Sequence, residues 1–180
     1  NHFSNDWIGN FKTLIMKLKN ENLKKSFLIY GFGKSGISSF KYLNQSNKCF
    51  IYDDDKKKIN IKLKKNFIPK SKLIKKNFNH IILSPGININ KCQLSSFLKK
   101  HHKKIITDLD IFYKYNPEIL TITITGTNGK STTCKLLYDI LKNHRYDVRL
   151  TGNIGNPILA EKKINDKTIF VVEASSYQLA

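Results

Sequence analysis

The stretch ILTITITGTNGKSTT, residues 119–133, decides the fold. Its first half alternates β-branched residues (Ile122, Thr123, Ile124, Thr125), the pattern of a strand. Its second half, Gly126-Thr127-Asn128-Gly129-Lys130-Ser131, runs into an apolar-periodic helix. Strand, glycine loop, Lys-Ser and helix together make a phosphate-binding loop. Gly126 and Gly129 permit backbone angles that a Cβ would forbid, so successive N–H groups can converge on one anion. Lys130 offers a positive charge to the β- and γ-phosphates, and the Ser131 hydroxyl suits Mg²⁺. The helix N-terminus adds its partial positive charge. The general motif G-x-x-x-x-G-K-[ST] asks for glycine at position 124, where this chain has Ile124. The alternative is an ordinary strand–turn–helix with a capping hydroxyl, which leaves Gly-Lys-Ser at a strand end without a reason.

A second glycine loop lies upstream. Ser26 to Tyr30 is a short apolar strand, followed by Gly31-Phe32-Gly33-Lys34-Ser35-Gly36 and a helix carrying Ile37, Phe40, Tyr42 and Leu43. A further strand, Cys49 to Tyr52, ends in Asp53-Asp54-Asp55. This is a G-x-G-x-x-G fingerprint in its β-α-β context, with an acid about 20 residues on. The glycines allow a pyrophosphate to approach the backbone, and the acid can bind a ribose hydroxyl. Taken alone, the fingerprint suggests a nicotinamide or flavin cofactor.

The remaining segments frame these loops. Residues 1–25 place Trp7, Phe11, Leu14 and Leu18 at roughly helical spacing among lysines; they read as a leader, packed or disordered, with a membrane-surface helix as the lesser alternative. The chain does not begin with Met and its only Met is Met16, so residues 1–15 are expected to lie upstream of the natural start. Residues 56–79 are lysine-rich and weakly patterned, a short strand and helix. His80 to Leu83 is a strand ending in Ser84-Pro85-Gly86, at the sheet edge where parallel sheets bind ligands. Leu94 to Lys100 reads as helix, His101-His102 as its solvated end, Ile105-Ile106 as a short strand, and Asp108 to Tyr115 as a helix stopping before Pro117. Asn116-Pro117-Glu118 is the expected domain boundary. Beyond the phosphate loop, Leu136, Leu137, Ile140 and Leu141 form a helical stripe. Tyr146 to Leu150 includes a strand, Thr151 to Pro157 is a polar glycine loop with a helix starting at Pro157, and Thr168 to Val172 is a buried strand. That strand runs into Glu173, where a second Mg²⁺ ligand belongs in a phosphate-loop domain.

Composition narrows the class. Hydrophobic residues at 40% and aromatics at 11% suffice for a buried core and argue against disorder. A net charge of +19 would ordinarily point to nucleic acid or an anionic membrane. Yet all but Arg145 and Arg149 of the 32 basic residues are lysine, spread along the chain with abundant Asn and Ile. That is the signature of A/T-rich codons, whereas nucleic-acid readers favour arginine. No nucleic-acid partner is expected. Cys49, Cys92 and Cys134 are few and widely spaced, which excludes a disulfide framework or zinc site and fits a reducing compartment. No apolar run reaches the roughly 18 residues of a membrane span, and no signal peptide is evident. A cytoplasmic monomer is the expectation.

Three motifs together resemble the Mur ligases of peptidoglycan synthesis: TGTNGKST (Thr125 to Thr132), GNIG (Gly152 to Gly155) and EASSYQL (Glu173 to Leu179). SPGI (Ser84 to Ile87) and TDLDIF (Thr107 to Phe112) look like the family's first domain, and the missing glycine at position 124 is usual in it. The resemblance covers about residues 26–180. It implies an α/β protein with a Rossmann-like N-terminal domain (26–116) that binds a UDP-substrate. The start of a P-loop NTPase-like central domain (117–180) follows and binds ATP. The Lys-Ser-Thr and SSYQL runs resemble the member that adds D-glutamate to UDP-N-acetylmuramoyl-L-alanine. By resemblance, Gly33, Lys34, Ser35, Asp53, Asp54, Ser84, Pro85 and Gly86 face the uridine diphosphate, and Asn153 lies near the phosphate and sugar-peptide junction. The family often has a basic residue where Asp55 stands. Gly126, Thr127, Asn128, Gly129, Lys130, Ser131 and Thr132 would hold ATP, Ser131 and Glu173 would hold Mg²⁺, and Lys130 and Glu173 would be catalytic.

The implied reaction is ATP-dependent amide formation: the alanyl carboxylate takes the γ-phosphoryl group, and the D-glutamate amine displaces phosphate from the acyl phosphate. Such chemistry asks the protein mainly for positioning and charge neutralisation. Family members have three domains, so the remainder of the central domain and the C-terminal domain are absent here. A fragment without turnover, with an apolar sheet edge exposed, is the expectation. Three rival readings remain. A nicotinamide module leaves Gly126 to Ser131 without a role. A folate-glutamating relative does not account for the N-terminal glycine domain. A basic nucleic-acid binder rests on charge alone.

Overall fold

The computed structural model describes residues 25–55 and 61–175. The leader through residue 24 and the Ser176–Leu179 half of the EASSYQL motif lie outside the described residues. Two parallel sheets divide the chain. Strands β1 (Ser26–Tyr30), β2 (Lys48–Tyr52), β3 (His80–Leu83) and β4 (Ile105–Ile106) form the first, in the order β2-β1-β3-β4. Strands β5 (Leu120–Ile124), β6 (Val148–Gly152) and β7 (Ile169–Glu173) form the second, in the order β5-β7-β6. The chain is thus an α/β protein of Rossmann-like and phosphate-loop-like sheets.

The inner strands β1 and β7 carry uninterrupted apolar runs because both of their faces are covered, whereas β5, LTITI, alternates. Successive residues of β1 sort accordingly: Leu28 and Tyr30 enter one core, Phe27 and Ile29 the other. The first core lies under α2 (Lys70–Leu73) and α3 (Ser95–Lys100), which contribute Leu73, Phe97 and Leu98. The second lies under α1 (Lys34–Leu43) and α4 (Asp108–Tyr115), through Phe40, Leu43 and Ile111. In β7, Phe170 and Val172 face one side, Ile169 and Val171 the other, where Cys134 of α5 (Lys130–Asn143) packs.

Helix α4 begins at a capping box: Thr107 Oγ1 accepts from the Asp110 N–H, and Asp110 accepts from the Thr107 N–H at 2.6 Å. It packs on both sheets. Ile111 and Tyr115 join the core of the first, while Leu109 and Phe112 meet Phe170, Val172 and Ile158 of the second.

Some elements depart from the sequence reading. Among the described residues of 56–79, the expected strand is a single bridge, Ile51 to Phe67, at the β2 edge, after a 3-10 turn at Ile61–Asn66. Tyr146 to Leu150 does include a strand, β6, which begins at Val148 and runs on to Gly152. The helix expected at Pro157 is one 3-10 turn, Ile158–Ala160. The α5 stripe is only partly covered: Leu137 and Leu141 pack inward, whereas Leu136 and Ile140 stay exposed. Tyr42 is likewise exposed, its ring tilted against Tyr115.

Candidate functional site

The first sheet reverses its winding between β1 and β3, and ligands of open parallel sheets bind at such a switch point. The β1 and β3 loops meet there around a cavity of about 240 Å³, lined by Gly31, Gly33, Lys34, Ser35, Asp53, Ser84, Pro85, Gly86 and Ile87. The loops lie too close for side chains. A Cβ on Gly31 (φ 91°) would stand 2.7 Å from Ser84 Cβ, and one on Gly36 would stand 1.9 Å from the Gly31 carbonyl oxygen. Gly33 and Gly86 are the exceptions: a Cβ on either meets nothing within 4 Å, so their missing side chains leave room in the cavity rather than in the protein.

Hydrogen bonds hold the two loops in register. Ser84 Oγ donates to the Gly31 carbonyl at 2.7 Å. Asp53, buried, accepts from the Phe32 N–H at 2.6 Å and the Asp55 N–H at 2.9 Å. Ser35 Oγ donates to Asp108 Oδ2 at 2.6 Å. Burial pushes the Asp108 carboxyl up from its ordinary range, and the Ser35 hydrogen bond partly opposes this. Lys34 stands exposed at the start of α1, beside the helix N-terminus.

Of the residues expected to face a uridine diphosphate, the structure gathers Gly33, Lys34, Ser35, Asp53, Ser84, Pro85 and Gly86 around one cavity. It does not bring Asp54 there. Asp54 turns to the opposite side of the sheet, accepting from the Tyr30 hydroxyl at 2.8 Å, with the Gln93 N–H at 3.5 Å. Burial, with Cys92 and Asp54 alongside, drives the Tyr30 hydroxyl far above its ordinary range. Sequence reasoning missed the Ser84 and Asp108 ties. The signal available for Asp108 was its place in the TDLDIF run.

The second loop stands on the second sheet. Gly126 (φ 145°) and Gly129 (φ 74°) turn the chain from β5 into α5, and residues Thr125 to Gly129 are exposed. Lys130 Nζ donates to the Thr127 carbonyl at 3.4 Å, across the loop, while Ser131 and Thr132 are exposed on the first turn. Glu173 ends the neighbouring strand, in register with Ile124 on one side and Gly152 on the other. The Ala174 N–H donates to the Ile124 carbonyl at 3.0 Å, fixing the end of β7 against the start of the loop.

Glu173 is only 4% exposed, and its Oε2 has no hydrogen-bond partner among the described residues. A buried carboxylate oxygen without a donor is costly unless a cation or proton completes it. A carboxylate oxygen of this kind and a hydroxyl such as that of Ser131 are hard oxygen donors, the chemistry that Mg²⁺ prefers. Burial and the nearby Glu173 carboxylate push the Cys134 thiol up. Among the described residues no three His, Cys, Asp or Glu side chains gather as around a zinc ion.

The GNIG loop is built around Glu173. A Cβ on Gly152 (φ 103°) would stand 2.2 Å from the Glu173 carbonyl oxygen, and the Asn153 N–H donates to that oxygen at 2.9 Å. Asn153 is therefore placed at the edge of the second sheet, with its side chain exposed, and not in the first cavity. A second cavity opens beside β6, where Arg149 pairs with Asp147 and, at 3.2 Å, with Glu161. These charges satisfy one another.

Comparison with known proteins adds the following. Residues 124–180 match the Mur ligase middle domain. The chain is 36% identical to the UDP-N-acetylmuramoylalanine–D-glutamate ligase of Rickettsia bellii, over 87% of this chain and 35% of that protein. It is 33% identical to the ligase of the same name from Wolbachia pipientis, over 91% of this chain and 32% of that protein. With that of Caldicellulosiruptor saccharolyticus it shares 31% identity, over 86% and 37%. The chain thus spans about a third of the length of the curated relatives it matches.

Proposed function

We propose that this chain, which belongs to the Mur ligase family, carries the UDP-substrate platform and the phosphate loop of an ATP-dependent amide ligase. The reaction is the joining of D-glutamate to UDP-N-acetylmuramoyl-L-alanine. Residues 26–116 are the platform, and residues 117–180 begin the ATP-binding domain. The observation that carries the reading is Glu173: a buried carboxylate with an unpartnered oxygen, held in register with the first residue before the phosphate loop.

In this reading each group has a task. The N–H groups of Gly126 to Gly129 and the Lys130 ammonium hold the β- and γ-phosphates and neutralise charge as the γ-phosphoryl group passes to the alanyl carboxylate. Ser131 and Glu173 would hold Mg²⁺, whose chemistry is to screen the phosphate oxygens. Thr132, exposed on the first turn of α5, would reach the bound nucleotide. The first cavity takes the uridine diphosphate: Gly33 leaves space for it, Lys34 and the N-terminus of α1 attract its negative charge, and Ser84 to Gly86 form the wall. Asp53 shapes the loop through Phe32. Asn153 would lie near the phosphate and sugar-peptide junction. Turnover needs the parts of the enzyme beyond this third, and the whole acts as a cytoplasmic monomer in cell-wall synthesis.

The test uses the full-length ligase: ADP release should require UDP-N-acetylmuramoyl-L-alanine, D-glutamate, ATP and Mg²⁺ together. A phosphate loop that turns over ATP equally with and without the UDP-sugar would refute the assignment. So would a first domain whose unfolding midpoint rises with NADH and not with the UDP-sugar.

A further inference from the structure

Lysine is common throughout the chain, as A/T-rich codons would make it, but the acids are not evenly spread. Between residues 56 and 107 there are fifteen lysines and no aspartate or glutamate. Of the net charge of +19, +15 therefore belongs to this one segment. Base composition accounts for abundant lysine everywhere; it does not account for the exclusion of acids from one stretch.

Part of this segment lies on one face: α2, α3 and the residues around them cover one side of the first sheet, whereas Leu63 and Ile106 pack into the core on the other side. Helices α2 and α3 cover the same side of the first sheet, joined by the Phe78 and Phe97 rings at 6.4 Å. Lys104 Nζ, hydrogen-bonded to Asn77, ties the end of one helix region to the other. Lys70, Lys72, Lys75, Lys99, Lys100 and Lys103 are exposed on this layer, and no ion pair among the described residues involves them. The layer is opposite the one through which α1 and α4 reach the second sheet, so it is free of the site already described. Ile74, 50% exposed, stands among the lysines.

We infer that the α2–α3 face docks on an anionic lipid surface. Each lysine near such a surface contributes about fivefold in affinity, and a shared face sums many. The side chains favour lipid over nucleic acid. The segment has no arginine for bidentate contacts. Its rings are turned inward: Phe78 and Phe97 are 2% and 8% exposed and cannot stack on bases. What the face adds to its charge is an aliphatic residue, Ile74, suited to the headgroup–acyl boundary. The contact is peripheral, since among the described residues no helix is long and apolar enough to cross a membrane.

The test is sedimentation of the full-length ligase with phosphatidylcholine vesicles, with and without about a third phosphatidylglycerol, across a salt series. Binding should require the anionic lipid and weaken with salt. The triple variant Lys72→Gln, Lys75→Gln, Lys100→Gln should lose ~100-fold at full additivity, with an unchanged unfolding midpoint because all three are exposed. The matched variant Lys162→Gln, Lys163→Gln, Lys167→Gln, on exposed positions of the second domain, should bind as the parent does. Equal losses in the two variants would mean net charge alone, and would overturn the inference. No binding to anionic vesicles at about 0.05 M salt would also overturn it. Tight binding to single-stranded RNA without vesicle binding would reassign the face to nucleic acid.

Discussion

Replacing Gly33 by valine separates the cavity from the fold that builds it. A Cβ at this position meets nothing within 4 Å, and φ is −79°, an angle any residue adopts. The one expected cost comes from Gly33 being the N-cap of α1, where valine is poorer than glycine by ~1 kcal/mol. For a chain of this length that lowers the unfolding midpoint by ~2–4 °C. The bound UDP-sugar at a hundred times its Kd should add ~2.7 kcal/mol to the parent, a rise of ~5–11 °C. In Gly33→Val that rise should vanish, because the side chain projects into the space the ligand needs. The control is Gly36→Val, whose Cβ would stand 1.9 Å from the Gly31 carbonyl oxygen and 3.2 Å from Ser84 Oγ. Backbone must move to admit it, at or beyond the upper end of the ~1–3 kcal/mol typical of overpacking. Differential scanning fluorimetry with and without UDP-N-acetylmuramoyl-L-alanine reads both quantities. A full ligand shift in Gly33→Val would refute the cavity as the UDP site. A midpoint loss equal to that of Gly36→Val would refute the geometry of the loop.

Further tests address other parts of the molecule. Glu173→Gln removes a buried charge whose Oε2 has no partner, so the unfolding midpoint should hold or rise while the shift caused by Mg·ATP is lost; a retained shift would remove Glu173 from the metal site. Burial pushes the Cys49 thiol up to about 12 and also raises that of Cys134, so a thiol reagent at pH 8 should label the half-buried Cys92 first and the other two only on denaturation. Rapid labelling of Cys134 in the native protein would contradict its packing. Because Asp108 holds its proton more tightly when folded, its favourable contribution is complete below the unfolded value of about 3.9 and is lost as pH rises through the folded one. The stability of the parent relative to Asp108→Asn should therefore fall with rising pH and then level off; urea denaturation across pH would show it, and a rise would reverse the assigned cause. Tyr30→Phe should cost ~1–2 kcal/mol by leaving Asp54 without its hydroxyl donor, and an unchanged urea midpoint would argue against that network.

The glycines were legible in sequence because backbone geometry leaves few alternatives at Gly31 and Gly129, both at positive φ, or at Gly36, pressed on a carbonyl. The inner strands β1 and β7 were legible because both faces are covered, so the runs Phe27–Tyr30 and Ile169–Val172 are apolar without interruption. Periodicity does not reveal how much of a helix its neighbours cover. The α5 stripe includes Leu136 and Ile140, but three strands do not reach them. Nor does a cluster of like residues reveal its orientation. Asp53, Asp54 and Asp55 look equivalent in sequence. At the end of a strand neighbouring side chains point to opposite faces, and one step in register decides which reaches the cavity. Asp53 reaches it, and Asp54 joins Tyr30 on the other side.

What sequence could least disclose is the connection between the two loops, because no local pattern encodes it. The TDLDIF run reads as a capped amphipathic helix, and that is correct for α4. Its consequence depends on what packs against each face. Asp108 bonds Ser35 in the wall of the first cavity, while Leu109 and Phe112, one and four residues on, lie against Phe170 and Val172. Val172 directly precedes Glu173. A shift of α4 large enough to break the Ser35 bond would therefore disturb the packing beneath the carboxylate beside the phosphate loop. Close-packed side chains pass on such a displacement, because a core has few voids to absorb it. Helix α4, packed against both sheets, is where a displacement at one loop would reach the other.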